Sequence, residues 1–184
     1  MAKTENVQEY IALLRGLRAV RHFRAEPIPE PVVADILTVA RWSGSAKNSQ
    51  PWEFIVIHDR DTLMALATLD GFVKHLAGAQ AAIVLVMAGE NAEWETYDEG
   101  RLSERIGLAA AAHGLGSCIG WFAGDGRSAA KQLLGIPEKR LVRTAISLGY
   151  LDAAAQRARP KPAQARKPLS ELVHDERYSS QGTP

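Results

Sequence analysis

Arg15, Arg18, Arg21 and Arg24 recur every third residue, and Arg157, Arg159, Lys161, Arg166 and Lys167 stud the far end of the chain with no acidic residue among them. Guanidinium offers phosphate a planar fork of donors, and an ammonium offers it a point charge. Basic stretches usually do no more than face water. The chemistry open to these two is convergence on one phosphate. Between them lies "SAKNSQPWEFIVIHD", residues 45–59. Ser45, Asn48, Ser49 and Gln50 supply hydroxyls and carboxamides that can pair with a heteroaromatic edge holding both donors and acceptors. Pro51 stiffens the exit from this stretch, and Trp52 can anchor it in a core.

Other chemistry finds no support. His22, His58, His75, His113 and His174 stand far apart, with neither His-x-x-x-His nor Cys-x-x-Cys spacing, so no metal site is expected. Gly-x-Ser-x-Gly is absent, and Cys118, five residues after His113, reads as a buried structural thiol. "GLGSCIG" (114–120) is glycine-rich, but it follows a helix and opens a strand, the reverse of the dinucleotide-binding order. Gly114 reads as the end of that helix, and the glycines near 120 could let a ligand approach the backbone. No side chain stands out as an acid, a base or a nucleophile.

The 184 residues suit one domain, 46% of them hydrophobic and 23% charged. Lys and Arg number 22 against 21 acidic residues, so the net charge of +1 gives no general pull on nucleic acid or anionic lipid. The basic C-terminal stretch also lacks the interleaved aromatics of a nucleic-acid binder. One cysteine excludes an internal disulfide and suits a reducing compartment. The opening "MAKTENVQEY" is polar, and the longest apolar run, "AAIVLVMAG" (81–89), is too short to span a bilayer. A soluble, cytoplasmic protein with no membrane partner is expected.

Elements that could position these groups follow from periodicity. Val7, Tyr10, Ile11, Leu14 and Leu17 predict a helix over 6–17. Residues 18–31 carry three prolines and read as an extended linker, and Pro31 opens a helix through Ala40. Strands are predicted at 53–59, 81–89, 117–122 and 142–151. Asp59 caps a helix after the first strand, 93–113 is a long helix ending in alanines, and 127–136 is a short one closed by Gly135. The alanine run permits close approach of another helix or subunit. After Asp152 the composition turns to Ala, Pro, Arg and Lys, a peripheral arm over 153–184. Helices outweigh strands in one α+β or α/β domain, 1–184.

Four segments in this order resemble the nitroreductase family of FMN flavoproteins: "LRAVRHF" (17–23), "GSAKNSQPW" (44–52), "GLGSCIG" (114–120) and "RKPLSELVHDERY" (166–178). The resemblance implies an α+β nitroreductase-like fold, with a central, mostly antiparallel sheet flanked by helices, in an intertwined homodimer that holds FMN at the interface. It places Arg18, Ala19 and Arg21 on the FMN, with Arg21 near the pyrimidine side, where a cation stabilises negative charge on the ring. Ser45, Ala46 and Asn48, with Gln50 in support, reach the flavin from the partner subunit. Ile119 and Gly120 line the ring, and Arg166 and Lys167 grip the phosphate. Leu17 and Ala19 stand where the family usually has Arg and Ser, and Gly44 where it usually has Pro.

The function so implied is hydride transfer from NADH or NADPH through flavin N5 to a nitroaromatic, quinone or similar small-molecule acceptor, in a ping-pong cycle. The chemistry would rest on the cofactor, in keeping with the missing acid, base and nucleophile. The alternative within the same fold is a flavin- or deazaflavin-binding module without such turnover.

Overall fold

The computed structural model describes residues 7–158 and 166–178. Its centre is strand β2 (Ala81–Met87), all seven residues of which are buried. β1 (Trp52–Ile57), β3 (Gly116–Trp121) and β4 (Leu141–Gly149) complete a sheet in the order β1-β2-β4-β3, antiparallel at every ladder. The unbroken apolar run at 81–87 has a direct cause. Ala81, Ile83, Leu85 and Met87 pack on one side against Ile36 and Ala40 of α2 (Glu30–Arg41) and Leu102 and Ile106 of α4 (Ala92–Ala112). Ala82, Val84 and Val86 pack on the other against Leu63 and Leu66 of α3 (Arg60–Ala67), Leu76, and Ala130 of α5 (Gly126–Leu134). A strand covered on both faces has no polar side to show, so period-2 alternation disappears.

Local signals set the ends of the helices. The Asp59 carboxylate accepts the Thr62 N–H at 2.8 Å, and Asn91 Oδ1 accepts the Trp94 N–H at 3.1 Å. Gly135 (φ 67°) closes α5 in the left-handed conformation, and Gly114 (φ 73°) follows the end of α4. The close neighbour that the alanines of α4 admit is α2: Ala109 and Ala110 share a core with Ile36 and Ala40.

The linker at 18–31 is extended, as its prolines require, but it is not free. The Val20 N–H donates to Ser117 O at 2.8 Å, Arg24 N–H to Tyr150 O at 2.8 Å, and Asp152 N–H to His22 O at 3.0 Å. These bonds lay residues 19–24 along the outer edge of β3 and past the end of β4. Two glycines make room. A Cβ at Gly116 would stand 2.6 Å from Val20 Cβ, and one at Gly149 would stand 2.8 Å from Phe23 Cδ1.

Helix α1 (Val7–Gly16) buries none of its residues, and its apolar stripe of Val7, Tyr10, Ile11 and Leu14 is exposed. In the C-terminal stretch, Ala153–Arg157 form a short helix, α6, and Leu169–Glu171 a 3-10 turn. Arg159 and Lys161 lie outside the described residues.

Leu85 is fully buried between β2 and the α2/α4 layer. Replacing it with Ala is expected to lower stability by about 2–5 kcal/mol, read as a lower urea midpoint at unchanged slope.

Candidate functional site

A cleft of about 1010 Å³ opens beside the β3 edge. The C-terminal half of α1 and residues 15–21 form one wall, Ser103, Glu104 and Gly107 of α4 another, and Ser117, Cys118 and Ile119 of β3 the floor. Arg166 enters from the far end of the chain. The structure therefore brings Arg18, Ala19, Arg21, Ile119 and Arg166 into one cavity, with Arg15 beside them. Gly120 and Lys167 are neighbours in the chain that do not line it.

Each wall is positioned by features already described. Residues 19–24 are zipped to β3 and β4, which fixes Arg21 relative to Ile119. Arg18 is turned toward its own backbone: its Nη1 donates to Arg15 O and Leu17 O, both at 2.7 Å. Leu17 lies against α4, with Cδ2 at 3.6 Å from the place a Cβ would take at Gly107. An apolar side chain thus occupies the first position of this motif.

Behind β3 the space at Gly120 is taken by His75, which the sequence did not single out. A Cβ on Gly120 would meet His75 Nε2 at 2.8 Å and Ala145 O at 3.0 Å. On this face the glycine serves protein packing and not a ligand. The half-buried imidazole bonds at both nitrogens, Nδ1 to Ser147 Oγ at 2.8 Å and Nε2 to Phe72 O at 3.1 Å. Burial, with the nearby Arg21 charge adding to it, lowers its pKa from the usual 6.5 to about 4; the bond to Phe72 O opposes the shift.

Residues 44–50 lie elsewhere. Ala46 and Gln50 line a second cavity of about 450 Å³ with Trp52, Trp94 and Arg140, and Ser45 and Asn48 flank it on the same loop. Lys47, Asn48 and Gln50 all have positive φ (52°, 56° and 49°). Left-handed backbone at a non-glycine residue costs on the order of 1–2 kcal/mol, so three in four residues persist only where the surroundings impose them. Asp98 Oδ2 accepts the Ala46 N–H at 3.2 Å, and Ser45 Oγ accepts the Gln50 N–H at 2.9 Å. Lys47 Nζ sits 5.1 Å from the Trp94 ring centre. The Arg101 guanidinium, 3.6 Å from Asp98, fills the space beside Gly44, where a side chain would collide with it. Lys47, Asn48, Ser49 and Gln50 of this loop are exposed.

Asp98 belongs to a group that sequence reasoning missed: Glu95, Asp98 and Glu99 of α4 are buried. The Glu95 carboxylate takes the N–H groups of Gly89, Glu90 and Asn91 at 2.9, 2.8 and 3.1 Å. Glu99 Oε2 takes Arg143 Nε at 3.0 Å; Arg143 Nη2 lies 2.9 Å from the same oxygen, outside hydrogen-bond geometry. The signal was spacing. Residues 95, 98, 99, 102, 106, 109 and 110 form one helical stripe, acidic at first and apolar after. Reading only its apolar half hid the acids. Among the described residues no group of His, Cys, Asp and Glu is arranged to hold a metal ion, and no helix is long and apolar enough to cross a membrane.

Comparison with known proteins bears on the family and the fold. The nitroreductase family model matches residues 14–95. A candidate NADH dehydrogenase/NAD(P)H nitroreductase of Archaeoglobus fulgidus is 33% identical over 150 residues, covering 78% of this chain and 86% of that protein. An FMN-dependent nitroreductase of Clostridium difficile R20291 superposes with a TM-score of 0.78 at 25% identity, over 91% of this chain and 99% of that one. A candidate nitroreductase of Desulfovibrio desulfuricans, solved in complex with FMN, shares the fold at 24% identity and a TM-score of 0.73, over 97% and 100%. Fold and cleft define an α+β protein with a cationic, strand-floored site. The chain belongs to the nitroreductase family.

Two outcomes test the positions of these side chains. Asp98→Ala releases the Ala46 N–H, and amide exchange across 46–50 is expected to speed up at least tenfold while the β2 amides are unchanged. His75 is neutral in the fold and takes a proton more readily when unfolded. Stability is therefore expected to fall as pH drops from 6.5 toward about 4, and His75→Gln should flatten that part of a melting-temperature profile.

Proposed function

We propose that the chain is an FMN-dependent oxidoreductase. The observation carrying this is that Arg18 and Arg21, from one end of the chain, meet Arg166, from the other, and Ile119 in one cleft of about 1010 Å³ in a chain of the nitroreductase family. The residues fit the cofactor. The volume is at the upper end of ordinary ligand sites, the guanidinium groups match a phosphate, and the open edge of β3 offers a flat floor.

In this reading Arg166, Lys167 and Arg18 hold the phosphate, and Arg18 exchanges its bonds to backbone carbonyls for it. Arg21, fixed to the sheet edge, faces the pyrimidine end and stabilises negative charge there. Ala19, Ile119 and Gly120 border the ring. When bound, FMN supplies a ring that takes hydride at N5 from NADH or NADPH and passes it to a nitroaromatic, quinone or similar acceptor in a ping-pong cycle.

A second copy of the chain completes the site. Supporting this are the uncovered apolar stripe of α1, which also borders the cleft, and the strained loop at 44–50, whose polar groups face outward from a different cavity. Ser45, Ala46, Asn48 and Gln50 then reach the partner's cofactor. The second reading, a flavin- or deazaflavin-binding module without turnover, draws on Leu17 and Ala19, whose side chains give no phosphate or ribityl contact where the family usually has Arg and Ser.

The purified protein is expected to be yellow, to release FMN on denaturation, and to bleach anaerobically with NADH or NADPH; a colourless protein that takes up no added FMN overturns the proposal. Yellow colour that neither nicotinamide bleaches favours the binding module. Arg21→Ala is expected to weaken FMN binding at least tenfold, about 1.4 kcal/mol, by fluorescence titration. Mixing flavin-poor Asn48→Ala and Arg166→Ala proteins should restore part of the sites, seen as recovered flavin absorbance, if each pocket draws on both subunits.

A further inference from the structure

His75 is a titratable group that the proposed binding scheme leaves unused. It lies behind β3, on the side opposite Ile119. Gly120 pairs with Ala145 of the α3/α5 layer, and Ile119 with Ile146 of the α2/α4 layer. Its hydrogen bonds fix its tautomer. Phe72 O can only accept, so Nε2 carries the hydrogen, and Nδ1 accepts the hydroxyl of Ser147. That hydroxyl has a second acceptor within reach, Cys118 O at 3.4 Å, on the strand that floors the cleft.

We propose that His75 takes up a proton when negative charge arrives beside Arg21, coupling hydride transfer in the cleft to proton uptake behind β3. This rests on the flavin reading above. The exchange balances as follows. The nicotinamide donor delivers two electrons and one hydrogen to the bound ring, which gains one negative charge. Water supplies a proton to His75 Nδ1. The Ser147 hydroxyl then turns to Cys118 O, and its oxygen accepts the new Nδ1–H. No covalent bond of the protein breaks, and both imidazole hydrogens keep acceptors.

Charge decides the direction. The ring bonds Ser147 of β4 and Phe72 of its own turn, where Lys74 is its chain neighbour, and fills the space beside Gly120 of β3. Arg21, from the segment beside β3, is the charge that acts on it, and that charge disfavours a second cation. A negative charge on the cleft side of Arg21 offsets this and raises the proton affinity of His75. With nothing to offset Arg21, His75 stays neutral down to about pH 4.

The test is the midpoint potential of bound FMN between pH 4 and 8. In the wild type, one extra proton per two electrons steepens the slope by about 30 mV per pH unit in a window that begins near pH 4. In His75→Gln, whose amide can still donate to Phe72 O, that steep window is absent. Equal slopes in the two proteins overturn the coupling and leave FMN binding intact as a finding. Wild-type protein that takes up no FMN overturns the flavin reading, and the coupling with it. The imidazole 15N resonances of the wild type, oxidised and reduced at pH 5, need no variant. A shift of His75 Nδ1 to its protonated position on reduction supports the coupling, and an unchanged resonance overturns it.

Discussion

Burial of β2 on both faces is the constraint from which the rest of the molecule follows. A strand with no polar side chain must have a layer above and another below, and it must sit inside the sheet. The order β1-β2-β4-β3 meets both conditions and pushes β3 to the rim. A rim strand has unpaired backbone to hide. Here residues 19–24 cover part of it and carry Arg21 with them. The cleft occupies the part left open, so it is a by-product of how the sheet closes as much as a feature in its own right.

Helix α4 has two trades along one stripe. Its C-terminal half is apolar and packs on α2 and the sheet. Its N-terminal half buries carboxylates, each holding a separate piece of backbone or side chain: the turn after β2, the loop at 44–50, and Arg143 in the irregular part of β4, where the ladder to β2 slips by one residue. Buried charges of this kind contribute little net stability, yet removing one partner is costly. They act mainly by fixing geometry. The loop at 44–50 keeps three left-handed residues where Asp98, Ser45 and the Lys47–Trp94 contact hold it.

Much of this was legible in the chain. Apolar periodicity marked α1 to α3, an alanine run and Gly135 marked α4 and α5, and apolar runs marked the four strands to within two residues at every end. Asp59, Gly114 and Gly135 announced where helices begin and end. What stayed hidden shares a cause: it depends on contacts between distant segments. Residues 18–31 carry prolines and charges and read as linker, and their docking rests on backbone hydrogen bonds to β3 and the end of β4 and on the room left by Gly116 and Gly149. His75 looked like any isolated histidine, because Gly120, Ser147 and Arg21 define its surroundings from three other elements. The convergence of Arg18, Arg21 and Arg166 was open as one use of two basic stretches, and the order of the motifs favoured it, since no spacing along the chain encodes it.

The glycines at 116 and 149 carry one more implication. Neither glycine lines the cleft, yet they set how deeply the segment bearing Arg21 can seat. Any side chain introduced there lifts that segment, so a change that looks like ordinary backbone crowding would reach the ligand as a misplaced charge. In a selection for tighter cofactor retention, the informative positions would then include residues that never meet the cofactor, and foldability and affinity would drift together at those two sites.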